Sequence, residues 1–166
     1  MGCGKSSVGR RIASLTGHRF VDTDELVAQS AGRSIPEIFA SEGEAAFRDI
    51  EQRALEDLVG VAGVVLATGG GAILRESNRL ALKNIGIVAW LDAEPDALYE
   101  RATRSQRRPL LQTENPRQTF DDLYAARYAT YEEASDFRFD STQCSHDDVA
   151  HRLLEQAMCI HAERSN

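Results

Sequence analysis

Near the start of the chain stands Gly2-Cys3-Gly4-Lys5-Ser6-Ser7. Glycines at such a place let backbone N–H groups close around phosphate oxygens. A lysine can then reach the β and γ phosphates, and a serine hydroxyl can hold Mg²⁺. The segment matches the second part of G-x-x-x-x-G-K-[ST]; the first glycine would fall ahead of Met1. A plain helix N-terminus with flexible glycines is the alternative. Asp22 and Asp24 follow an apolar Phe-Val pair, at a strand end, where the sites of open α/β sheets collect. Asp24 could equally cap a helix.

Three further groups bear charge or unusual backbone freedom. Arg48 borders an apolar helical stripe and could meet a small acid, or simply pair with Glu51 three residues on. Thr68-Gly69-Gly70-Gly71 ends an apolar run, so a ligand could approach the backbone closely there, though a flexible turn reads the same way. Arg127 falls on a stripe with Phe120, Leu123, Tyr124, Tyr128 and Tyr131. An arginine facing inward needs a carboxylate or phosphate, because its charge cannot be neutralised. That partner could be an acidic ligand or an Asp or Glu across the core. Arg107 and Arg108 lie in a loop between prolines, where a mobile arginine could close over a transferred phosphate or simply be solvated.

The elements that must position these residues alternate between helix and strand. Apolar spacing predicts a helix over 5–15 stopped by Gly17, and a short strand at 19–21. Asp24 is expected to cap a helix reaching Ala28. Ser34 and Glu37 have capping-box spacing for a short helix ending near Gly43. A longer helix over 44–58 carries Phe47, Ile50, Ala54 and Leu58 on one stripe. Val64 to Ala67 reads as a strand covered on both faces. Further helices are expected over 76–83, 94–104, 116–134 and 147–162, with strands at 85–91 and 137–139. Such alternation means an α/β fold around a parallel sheet.

Composition narrows the rest. The 166 residues suit one domain with a core of its own, with 42% hydrophobic and 27% charged residues. A net charge of -7 argues against a general nucleic-acid or anionic-membrane binder. The only lysines are Lys5 and Lys83, which draws attention to the first. Three cysteines without a Cys-x-x-Cys pair disfavour disulfides and zinc, so a reducing cytoplasm is expected. No signal peptide is visible, and the longest uncharged run, Leu58 to Leu74, is broken by glycines rather than apolar enough to span a membrane.

Taken in order, Gly-Cys-Gly-Lys-Ser, Phe-Val-Asp-Thr-Asp, Gly-Glu-x-x-Phe-Arg-x-x-Glu, Thr-Gly-Gly-Gly-Ala, Arg-Pro-Leu-Leu and the inward Arg127 resemble the shikimate kinase family. The resemblance spans Gly2 to about Leu154. It implies a three-layer P-loop kinase fold, with helices on both faces of a five-stranded parallel sheet, a substrate-binding segment over about 24–58 and a mobile lid over about 105–118, in a single domain over 1–166. It also implies ATP-dependent phosphorylation of shikimate at its 3-hydroxyl, a step toward chorismate and the aromatic amino acids, by a Mg²⁺-dependent monomer with ATP and shikimate as its partners.

By the same resemblance Gly2, Cys3, Gly4, Lys5, Ser6 and Ser7 would bind ATP phosphates, with Lys5 catalytic and Ser6 and Asp22 on the metal. Asp24 would bind the shikimate hydroxyls and accept the 3-hydroxyl proton. Arg48 and Arg127 would clamp the carboxylate, with Gly70 and Gly71 beside the ring hydroxyls. Arg108 would be the lid arginine, and Arg101 could stack on adenine. The sequence departs from the family pattern at 141–146, which lacks the Arg and Pro often found on the adenine side. It also has no strand ahead of the glycine loop, so the natural polypeptide is expected to start upstream of Met1. The competing readings are another small-molecule P-loop kinase, such as a gluconate kinase, and a nucleotide-binding module without turnover.

Overall fold

A computed structural model describes residues 2–103 and 113–165. Helix α1 (Lys5–Thr16) begins on Gly4 at φ 80° and stops at Gly17, also left-handed at φ 71°. Strand β1 (Arg19–Asp22) leads directly into α2 (Thr23–Ala31), and then α3 (Ile35–Glu56) turns back. Strand β2 (Val64–Ala67) is followed by the glycine strip and a 3₁₀ turn at Ala72–Leu74. The remainder runs α4 (Glu76–Ile85), β3 (Ala89–Asp92), α5 (Pro95–Thr103), α6 (Pro116–Ala134), β4 (Phe137–Asp140) and α7 (His146–Arg164).

The four strands form two separate parallel pairs. In one, β1 lies beside β2 from Arg19↔Val64 to Asp22↔Ala67. In the other, β3 lies beside β4 from Ala89↔Phe137 to Asp92↔Asp140. Each parallel link passes through helices, as parallel strands require. Around Val8, Leu91, Leu98, Phe120, Phe139 and Val149 the largest core cluster ties α1 and α5 to the second pair. Leu55, Ile73, Leu82 and Ala134 make a second cluster, and Val27, Ile38 and Phe47 a third beneath the α2–α3 corner.

Several sequence expectations hold and some need correction. The helix over 5–15, the helix over 116–134 and the alternating α/β order are present. At the head of α3 the Ser34 backbone N–H donates to Glu37 at 2.8 Å, half of the expected capping box. The two helices expected on either side of Gly43 are continuous except for a kink at that glycine, whose φ of 81° no ordinary side chain adopts readily. Asp22, not Asp24, caps α2: its carboxylate accepts the Asp24 backbone N–H at 3.0 Å. The shorter reach from the residue ahead wins, because a cap must stand outside the helix.

The strand expected over 85–91 begins only at Ala89, since α4 runs on through Ile85 to Gly86. The five-stranded sheet inferred from the resemblance is represented by four strands among the described residues. Nor is β2 covered on both faces. Val64, Val65 and Leu66 are only half-buried, because they look into a cavity between the two strand pairs. Of the stripe on α6, Phe120 is buried, whereas Tyr124, Tyr128 and Tyr131 are half-buried along that same cavity.

Candidate active site

The loop ahead of α1 folds because Gly2 and Gly4 both take positive φ, 75° and 80°, which few side chains tolerate. Space demands glycine as well. A Cβ on Gly2 would lie 2.6 Å from the Leu98 carbonyl oxygen, and one on Gly4 would lie 2.8 Å from His146 Nε2. The first turn of α1 carries no acidic residue and no side-chain cap, so its positive dipole end suits an anion. Lys5 reaches back to Cys3 Sγ at 3.6 Å.

The end of β1 meets this loop. Ser6 donates its hydroxyl to Asp22 Oδ2 at 2.8 Å, which sets two hard oxygen donors side by side at the helix start. One residue on, the buried Thr23 accepts the Gly69 backbone N–H at 2.9 Å and ties β1 to the glycine strip after β2.

Around Gly69–Gly71 four charged side chains converge. Asp24 Oδ1 and Glu51 Oε1 lie 3.0 and 3.3 Å from the position a Gly69 Cβ would take. The Arg48 guanidinium presses on Gly71 so closely that a Cβ there would collide, with Cζ at 2.8 Å. Arg127 donates to the Gly70 carbonyl at 3.3 Å, and the Tyr131 hydroxyl donates to the same oxygen at 2.8 Å. Arg48 also pairs with Glu51 at 2.8 Å and with Glu44 at 3.0 Å. The helical pairing expected from spacing is therefore real, and it aims the guanidinium at the strip. For Arg127 the alternative of a core carboxylate is not met: among the described residues its ion-pair partner is absent and a carbonyl holds it.

The electrostatics favour proton traffic at Asp24. Although the residue as a whole is open to solvent, its carboxyl end is crowded. Loss of water there pushes its pKa above the ordinary aspartate value, and the Asp22 charge adds to the push. Lys5 and Arg48 pull it back only in part. Burial likewise raises Glu51, against the opposing pull of Arg48. A carboxylate raised in this way is a better base for a hydroxyl proton near neutral pH.

On the far side of the glycine loop a second pocket of about 290 Å³ is lined by Cys3, Arg101, Ser141, Cys144, Ser145 and His146. Arg101 is fixed there by donating to the Thr142 carbonyl at 2.9 Å. The structure thus brings together the residues from Gly2 to Ser6, Asp22, Asp24, Arg48, Gly70, Gly71 and Arg127, and sets Arg101 at the edge. Arg108 and Arg107 lie outside the described residues, as does most of the expected lid.

Known proteins are similar along nearly the whole chain. The family described as shikimate kinase matches residues 1–158. The chain belongs to the shikimate kinase family. A shikimate kinase of Actinobacillus pleuropneumoniae serotype 5b is 43% identical over 155 residues, spanning 93% of this chain and 90% of that protein. One from Symbiobacterium thermophilum is 45% identical over 159 residues, 94% of this chain and 91% of its own length. Among solved structures, the shikimate kinase from Acinetobacter baumannii in complex with shikimate superposes with a TM-score of 0.90 at 40% identity, covering 96% of this chain and 89% of that one. The P-loop kinase fold of the shikimate kinases is therefore the fold of this chain.

Sequence reasoning assigned no part to four residues beside this kinase site. Thr23 was read only as part of a strand end, and Tyr131 only as core. Glu51 was read only as a partner for Arg48, although its place in an otherwise apolar stripe was a signal that it is buried. For His146 no local signal existed, since its approach to Gly4 depends on how α7 docks against α1.

Proposed function

We propose that the chain transfers the γ-phosphoryl group of ATP to the 3-hydroxyl of shikimate, giving shikimate 3-phosphate and ADP. The observation that carries this is the convergence of Arg48, Arg127 and Asp24 on Gly69–Gly71, beside a glycine loop bearing Lys5. Two guanidiniums suit one carboxylate, because each offers paired N–H donors in the geometry of its oxygens. Asp24 lies where a ring hydroxyl would rest against the open glycine backbone. It accepts the 3-hydroxyl proton as the oxygen attacks the γ-phosphorus. The bond from that phosphorus to the β-γ bridging oxygen breaks, and ADP leaves with the electron pair.

Backbone N–H groups from Gly2 to Ser7 and the Lys5 ammonium hold the phosphates and meet charge as it develops. Ser6 and Asp22 are fitted to Mg²⁺, which takes one or two protein oxygens and keeps the rest of its sphere for water and phosphate. Bound there, the ion would neutralise phosphate charge. Arg101 borders the base side, and Arg108 is assigned to the lid on resemblance alone. The protein is taken to act as a monomer in the cytoplasm; no described helix is long and apolar enough to cross a membrane.

A coupled assay of ADP release with ATP and Mg²⁺ tests the reading. Shikimate should raise the rate at least tenfold over the ATP-only background, and gluconate should leave it unchanged. A rate indifferent to shikimate, or one raised by gluconate, overturns it.

A further inference from the structure

One carbonyl of the glycine strip accepts from two side chains of α6. The Tyr131 hydroxyl donates to the Gly70 oxygen at 2.8 Å, the ordinary length for O–H···O. Arg127 Nη1 donates to the same oxygen at 3.3 Å, longer than is usual for N–H···O. Neighbouring polar groups of the strip are held in other ways. The Gly69 N–H goes to Thr23, and the Gly69 and Gly71 carbonyls accept the N–H groups of Ala72 and Leu74. The Ala72 carbonyl accepts Asn78 Nδ2 at 2.9 Å. Gly70 is thus held by α6, and of its two donors the neutral one is better bonded.

The phenol is built to stay in place. Its ring stacks on Trp90 with centroids 5.5 Å apart, and it packs against the cluster of Leu55, Ile73 and Leu82. Trp90 is itself buried, meets the edge of Tyr128 at 4.9 Å and lies under the Arg138 guanidinium. Burial pushes the Tyr131 hydroxyl above the ordinary phenol pKa, so it keeps its proton near neutral pH and remains a donor. Arg127 stands one helical turn before it on the same face of α6, which is why both reach one oxygen.

We propose that Tyr131 is a positioning residue for the acid group of the substrate: it holds the Gly70 carbonyl so that Arg127 can leave that oxygen for the carboxylate. This rests on the kinase reading above, with Arg127 as half of the carboxylate clamp. In the free protein Arg127 is the surplus donor. When the carboxylate arrives, the guanidinium exchanges one long bond to a neutral carbonyl for paired bonds to a charged group. The Gly70 oxygen still accepts from Tyr131, so no acceptor is stranded beside the seated ligand. Without the hydroxyl, the same exchange strips the carbonyl of its remaining donor and weakens acid binding. Tyr131 acts through Arg127 and touches no reacting atom.

Calorimetry with shikimate and with ATP on four proteins tests this: the parent, Tyr131→Phe, Arg127→Ala and the double variant, with Tm read on each. Shikimate is titrated far enough to fill the weakened Arg127→Ala site. Tyr131→Phe keeps the ring and removes one oxygen. Its Kd for shikimate should rise about 3- to 10-fold, the range of one neutral hydrogen bond, with the Kd for ATP within about twofold. In the Arg127→Ala background the same change should move the shikimate Kd by less than about twofold, because no guanidinium then has to leave the carbonyl. An unchanged shikimate Kd in Tyr131→Phe overturns the proposal, whatever happens to Tm. So does an equal loss in both backgrounds, or an equal loss for ATP, since the hydroxyl would then serve the fold. A parent that binds no shikimate overturns the kinase reading and this proposal with it; additive variants of a parent that does bind it overturn this proposal alone.

Discussion

Replacing Gly71 by alanine tests whether the position of Arg48, rather than its charge alone, holds the substrate acid. Gly71 has φ -102°, a value open to any residue, so alanine adds no backbone strain. What it adds is one methyl group, directed into the Arg48 guanidinium, with Cζ and Nη1 both at 2.8 Å from its carbon. Contacts under van der Waals distance cannot persist, so the guanidinium moves away. It is free to do so only by stretching its bonds to Glu51 and Glu44, 2.8 and 3.0 Å in the unaltered protein.

A hydrogen bond to a charged group is worth about 1.5–3 kcal/mol, and a tenfold change in affinity corresponds to about 1.4 kcal/mol. The KM for shikimate should therefore rise roughly 10- to 100-fold, with KM for ATP within about twofold of the parent. Initial rates with each substrate varied in turn measure both. Gly86→Ala serves as the control, because Gly86 is extended at φ 166° and has nothing within 4 Å of an added Cβ. An unchanged shikimate KM in Gly71→Ala would refute the reasoning. Equal loss for ATP would too, since the glycine strip would then serve the fold rather than the acid.

Three further substitutions probe the same geometry. Arg127→Ala removes the donor to the Gly70 carbonyl and half of the proposed carboxylate clamp, so shikimate binding by calorimetry should weaken about 10- to 100-fold while ATP binding is nearly kept. Asp24→Asn should lower kcat by roughly 10²- to 10⁴-fold with little change in Tm, the range expected on losing a general base. Because the Asp24 pKa is raised above its ordinary value of 3.8, the base is unprotonated only at higher pH. The acid limb of kcat/KM should fall off above pH 3.8 and should vanish from the residual activity of Asp24→Asn. The linked stability runs the opposite way: the folded chain holds this proton more tightly than the unfolded one. This group's contribution therefore declines as pH rises from about 3.8 through the folded value, and urea midpoints of the parent and Asp24→Asn should diverge across that window. Finally, Glu51→Ala leaves Arg48 with only its more exposed Glu44 partner and opens space at a fully buried site. It should cost about 3–5 kcal/mol in denaturant unfolding, the cost of breaking a buried pair.

Much of the site was legible because it is written in short local runs. The glycine loop, the strand-end aspartates and Thr68 to Gly71 each depend on backbone freedom or strand termini, which neighbouring residues dictate. Arg48 and Glu51 were legible as a helical pair for the same reason. The aim of that pair was not, because the strip it meets comes from a segment some twenty residues later in sequence. Arg127 shows the limit most plainly. Its helical phase predicted an inward arginine, but phase says nothing of what stands opposite, and the answer was a backbone carbonyl where a core carboxylate had been an equal candidate. The capping of α2 was misplaced by two residues, because Asp22 and Asp24 have the same chemistry and only backbone geometry separates them.

The order of helices and strands, the place of the glycine loop and the family itself were determined by sequence alone. They rest on periodicity, glycine chemistry and motif order along the chain. Tertiary structure decided the rest: that two guanidiniums and two carboxylates crowd one glycine strip, that crowding raises Asp24, and that β2 and β3 face each other across an apolar slot. Those facts depend on distances between segments far apart in sequence. No local pattern encodes them, because solvent exclusion and edge pairing arise only once the elements have packed.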